Sequence, residues 1–94
     1  ILPTINCAIN TLEAGRDQRP HRHNGVAVTL SLVGEAVYSM IEAQRVDWID
    51  HGVQVTPPAH LHSHHNRGSM RMRCLIFQDE ALHYYTRTPG FSWT

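Results

Sequence analysis

The nine residues VAVTLSLVG (Val26–Gly34) alternate in the period of a β-strand. Successive side chains of a strand point to opposite faces, so Val26, Val28, Leu30 and Leu32 share one face and Ala27, Thr29, Ser31 and Val33 the other. The next run outward, EAVYSMIE (Glu35–Glu42), repeats the pattern, with Val37, Ser39 and Ile41 set against Ala36, Tyr38 and Met40. INCAINTL (Ile5–Leu12), VQVT (Val53–Thr56) and MRMRCLIF (Met70–Phe77) are three more short strand-like runs. Turn sequences separate them: EAGRD, VGE, IDHG, a Pro-Pro pair, NRGS and TPG. No dozen residues carry a helical period, and EALHYYTR (Glu80–Arg87) suits either a single helical turn or an edge strand. Many short strands with closely spaced turns predict a single all-β domain over residues 1–94, an antiparallel sandwich or small barrel.

Composition excludes several classes. The chain has 94 residues, 41% hydrophobic and 17% charged, with a formal net charge of zero. That is ordinary globular usage, and 94 residues leave room for one core. The arginines are scattered, so no basic patch offers itself to nucleic acid. No run approaches the roughly 20 apolar residues that span a bilayer, and no secretory leader is visible, so a cytoplasmic location without a membrane partner is expected. Cys7 and Cys74 do not form a disulfide framework. The first residue is Ile1 rather than Met, which leaves open that this domain is part of a longer chain.

Histidine is the anomaly, at eight residues. In RPHRHN (Arg19–Asn24), His21 and His23 are alternate residues, so on a strand both project to one face and Arg22 to the other. Downstream, TPPAHLHSHHN (Thr56–Asn66) supplies His62 from a facing strand. Three imidazoles from two strands leave the far side of a bound ion open to water, substrate or dioxygen. Solvent-exposed positions suit His51, His60, His65 and His83 better, whereas Trp48, Phe77 and Tyr38 are expected in the core.

The spacing around these histidines resembles the two motifs of the cupin superfamily, G(X)5HXH(X)3–4E(X)6G and G(X)5PXG(X)2H(X)3N. Gly15, His21, His23 and Gly34 fit the first in register; Gly52, Pro57, His62 and Asn66 fit the second with one residue fewer after Gly52 and with Ala59 in place of its glycine. The resemblance implies a small antiparallel β-barrel of jelly-roll type and metal ligands His21, His23 and His62. Where most cupins place a glutamate ligand this chain has Ala27, and the three-histidine set that remains is similar to the gentisate 1,2-dioxygenase group. That group implies a non-haem Fe(II) dioxygenase acting on a hydroxylated aromatic or enolic small molecule, with dioxygen as co-substrate and His64 as acid or base beside the bound oxygens. Manganese, nickel or zinc would also suit three imidazoles. The arginine with which that group pairs the substrate carboxylate falls at Thr29 here, so Thr29 is a candidate substrate contact. Arg71 and Arg73, two apart on a strand, are candidate partners for an anionic group. Asn66 is expected to tie its loop's backbone together. A Lewis-acid isomerase or lyase, or a binding domain without turnover, are the alternative readings. Unpaired strand edges in so short a barrel favour a homodimer.

Overall fold

The computed structural model describes residues 3–94. Nine strands and one short helix follow in chain order: β1 Asn6–Leu12, β2 His21–His23, β3 Ala27–Val33, β4 Val37–Ile41, β5 Gln44–Asp47, β6 Val53–Thr56, β7 His62–Asn66, β8 Met72–Gln78, α1 Glu80–Tyr85 and β9 Phe91–Trp93. They form two antiparallel sheets, β1-β8-β3-β6 and β5-β4-β7-β2-β9. Neither sheet is closed on itself, so the domain is a two-sheet, jelly-roll-like sandwich rather than the closed barrel that the motifs implied. EALHYYTR takes the helical option over Glu80–Tyr85, and the strand after it, FSW, carried no sequence signal of its own.

The alternation along Val26–Gly34 is present, but the face it turns inward is the polar one. Ala27, Thr29 and Ser31 are buried, while Val28 and Leu30 lie on the outer side. Opposite them inside the sandwich stand Val37 and Ser39 of β4 and His62, His64 and Asn66 of β7. The buried apolar set is small, Ala27, Val37, Met72, Cys74 and Ile76, with Leu12 and Trp48 packed against it. Buried polar side chains outnumber it, including four histidines, His21, His23, His62 and His64. Such an interior is a lined cavity more than an oil-like core.

The outer face of the four-stranded sheet is correspondingly apolar. Register aligns Ile9, Leu75, Leu30 and Val53 in one row across all four strands and Cys7, Phe77, Val28 and Val55 in the next. Phe77, expected in the core, is therefore exposed, because its alternation partners Cys74 and Ile76 set the inward parity of β8 and Phe77 falls on the other one. Tyr38 also faces outward, stacked on His65 with ring centroids 4.7 Å apart, whereas Trp48 does join the core. Cys7 and Cys74 are free thiols on opposite faces of this sheet.

Candidate metal centre

β2 is only three residues long, yet it sets the site. His21 and His23 are buried and Arg22 between them is exposed, as period two requires. β7 is not the facing strand that the sequence led us to expect but the hydrogen-bonded neighbour of β2 in the same sheet, with His21 directly opposite His62. One side-chain nitrogen from each of His21, His23 and His62 lies within 4.8 Å of the other two. A shared ion at about 2.0–2.1 Å from each nitrogen would need only a small inward shift of the rings.

The hydrogen bonds behind the rings define which nitrogens converge. Nδ1 of His21 lies 3.0 Å from the Arg19 carbonyl, Nδ1 of His23 2.9 Å from the Gly25 carbonyl, and Nδ1 of His62 2.9 Å from the His60 carbonyl. A carbonyl only accepts, so each Nδ1 carries the proton and each Nε2 offers a free lone pair. Burial lowers the pKa of His21, and that of His62 to about 4, so both rings are neutral at physiological pH. Neutral, tautomer-locked imidazoles with convergent lone pairs fit a divalent ion.

His64 is built differently. Trp48 Nε1 donates to Ser39 Oγ at 2.7 Å, and Ser39 Oγ lies 2.7 Å from His64 Nδ1. Since Trp48 can only donate, the serine hydroxyl proton is free to go to His64 Nδ1, which leaves the His64 proton on Nε2. Burial pushes the His64 pKa down to about 3. His64 therefore presents a neutral N–H donor at Nε2, and it lines an interior cavity of about 320 Å³ with Gln18, Met72, Cys74 and Ile76. Gln18 Oε1 is buried there without a hydrogen-bond partner among the described residues. Ser39 and Trp48, which set this tautomer, carried no sequence signal beyond strand parity.

A second cavity of about 360 Å³ opens beside the ligands, lined by His21, His23, Gln78, Glu80, Tyr84 and Phe91 among others. Phe91 stacks on His21 at 5.4 Å and 21°, and the Trp93 ring meets His21 edge-on at 5.2 Å. Both come from β9, whose register places Trp93 opposite His21 and Phe91 opposite His23. Asp79 and Glu80 hold the turn after β2, accepting from the Val26 amide at 2.9 Å and the Gly25 amide at 3.1 Å. Glu80 Oε1 also lies 3.4 Å from His23 Nδ1, behind the ring. Parity along β8 predicts Gln78 inward beside Ile76. Nothing local in the sequence pairs Glu80 with a histidine 57 positions earlier.

The remaining candidates fall elsewhere. Thr29 is buried on the inner face of β3 and lines neither cavity. Arg71 ion-pairs with Glu13 at 2.7 Å on the surface, and Arg73 is exposed on the outer face of β8. The arginine pair takes the opposite parity to Met72 and Cys74, so it points away from the interior.

No protein-family model and no curated protein matches this chain. Solved structures resemble it closely in backbone. Salicylate 1,2-dioxygenase from Pseudaminobacter salicylatoxidans superposes with a TM-score of 0.92 at 22% identity, over 98% of this chain and 26% of that one. The same enzyme with gentisate gives 0.91 and 22%, over 98% and 25%. The Cnp3 cupin domain of Schizosaccharomyces pombe gives 0.78 at 18% identity, over 94% and 65%. The fold is that of a cupin domain. The chain spans about a quarter of the length of the dioxygenase it superposes on.

Proposed function

We propose that this domain is a non-haem Fe(II) dioxygenase centre acting on a hydroxylated aromatic or enolic small molecule. The observation that carries the reading is the trio of buried imidazoles, each with Nδ1 tied to a backbone carbonyl and Nε2 free, beside an open cavity. The dioxygenase structures that share the fold support it as analogues. A bound ferrous ion would supply open coordination positions and redox chemistry toward dioxygen; manganese, nickel and zinc fit the same donors.

The chain's own groups do the rest. His21, His23 and His62 hold the ion without neutralising it, because no carboxylate stands at Ala27. Phe91, nearly parallel to the His21 ring, gives a planar substrate one flat wall. Gln78, Glu80 and Tyr84 supply the polar edge of the cavity. His64 acts as a hydrogen-bond donor at Nε2, and its burial disfavours its service as a charged acid.

Free thiols at Cys7 and Cys74 favour a reducing compartment such as the cytoplasm. Among the described residues no helix is long and apolar enough to cross a membrane. The apolar outer face of β1-β8-β3-β6 supports a homodimer that buries it.

Metal content by plasma mass spectrometry on anaerobically purified protein tests the core of this reading, with His62→Ala in parallel. Near-stoichiometric iron that falls at least about tenfold in the variant is the expected result. Oxygen uptake with hydroxylated aromatic compounds is expected to follow. Zinc without oxygen uptake would move the reading to Lewis-acid chemistry, and an empty site in both samples would overturn it.

A further inference from the structure

The chain contains no lysine, and all eight of its arginines are exposed. Neither cavity is lined by a cationic side chain. Arg19 lies 5.6 Å over the Trp93 ring, with its Nε donating to the Thr94 carbonyl at 3.0 Å. Arg22 takes the outward parity of β2 and lines a neighbouring pocket with His23, Gly90 and Phe91. Neither arginine lines the cavity beside His21 and His23. The one ionisable carboxyl group on the cavity beside His21 and His23 is Glu80, with only 18% of its side chain exposed. Its Oε1 is engaged by the Gly25 amide, and Oε2 has no hydrogen-bond partner among the described residues. Gln78 and Tyr84 add an amide and a phenol to the same wall.

An anionic group placed at this wall, away from the metal-binding end, would meet a carboxylate with no cationic side chain beside it. A hydroxyl or ammonium group would instead find the free Glu80 oxygen as an acceptor. We infer that the site takes a planar ligand that reaches the metal through oxygens at one end and, at the end facing Gln78, Glu80 and Tyr84, carries an uncharged or cationic hydrogen-bond donor and no carboxylate, sulfonate or phosphate. The inference rests on the metal-centre reading above.

The test holds the metal-binding end constant and varies the other. Protein loaded with cobalt(II), its ligation read from the visible absorption bands, is titrated calorimetrically with three ortho-diols: 4-(2-aminoethyl)catechol, 4-methylcatechol and 3,4-dihydroxybenzoate. The aminoethyl compound is expected to bind at least about tenfold more tightly than the benzoate, with the methyl compound between. Gln78→Arg is expected to reverse the order, and Glu80→Gln to bring the three within about threefold of one another. Glu80 also holds the turn after His23, so should Glu80→Gln fail to fold, Gln78→Arg still decides. Benzoate binding equal to or tighter than the aminoethyl compound, or no binding of any of the three to the cobalt-loaded protein, overturns the inference and leaves the metal centre standing. Absence of histidine-ligated cobalt bands overturns the metal centre and the inference with it.

Discussion

Ala59 occupies the position at which the second cupin motif has glycine, and its backbone sits in the left-handed region at φ 63°. A Cβ there costs about 1–2 kcal/mol. The conformation holds because the Ala59 amide donates to the His23 carbonyl at 2.8 Å, tying the loop before β7 to the strand that carries two ligands. Ala59→Gly would relieve the strain but enlarge the unfolded ensemble, so a net gain of about 0.5–1 kcal/mol is expected. Thermal unfolding should show it as a rise of a few degrees; a fall would mean that Ala59 is not strained.

A second residue-scale prediction concerns acid. Asp17 is held down to about 2, first by its contacts with Arg67 at 2.7 Å and His65 at 2.8 Å, from an ordinary value of 3.8. A depressed carboxyl contributes stability above its unfolded value and loses it as pH falls through the folded one. Asp17 is well exposed, so solvent screens the effect. Acid titration of Asp17→Asn should remove a small part of the destabilisation seen between about pH 4 and 2, and an unchanged profile would refute that.

Among the elements, β7 has the most to hold in place. It carries His62 and His64 inward and ends at Asn66, which is fully buried. Asn66 Nδ2 donates to the Leu12 and Met70 carbonyls at 3.0 and 2.8 Å, and its Oδ1 accepts from the Gly68 amide at 3.0 Å. Asn66→Ala would strand all three backbone groups, with an expected loss of about 3 kcal/mol in denaturant unfolding. A loss below 1 kcal/mol, on the same scale, would mean that water substitutes for the amide. This role was legible, as were most of the strands, the turn at EAGRD and the two-strand origin of the histidine trio, because each is a local demand written at fixed spacing. Parity alone does not say which face is inside. Hydrophobicity would turn Val28, Leu30 and Phe77 inward, and a polar cavity overrides it. The partnership of Glu80 with His23 and the packing of β9 on β2 depend on chain segments that meet only after folding.

For the molecule as a whole, the outer face of β1-β8-β3-β6 decides how it behaves in solution. Ile9 is 66% and Val53 64% exposed, and no other described segment covers them. That face lies away from the histidine trio, so burying it against a second copy leaves the cavity beside His21 and His23 open. Light scattering on the wild type is expected to give a dimer, and Val53→Glu, adding a charge at the β6 end of the row, a monomer with metal content unchanged. A monomeric wild type at micromolar concentration would refute the dimer.

The inverted faces also bear on calorimetry. Exposing apolar surface raises the heat capacity of unfolding and exposing polar surface lowers it, so a chain of this length would ordinarily give about 1.2 kcal/mol/K. With serine, threonine and histidine where aliphatic side chains usually stand, an isolated copy should fall below that figure and show an unusually flat dependence of stability on temperature. If copies associate through the apolar face, the deficit is made up at the interface, and the missing heat capacity returns together with a melting temperature that climbs with protein concentration.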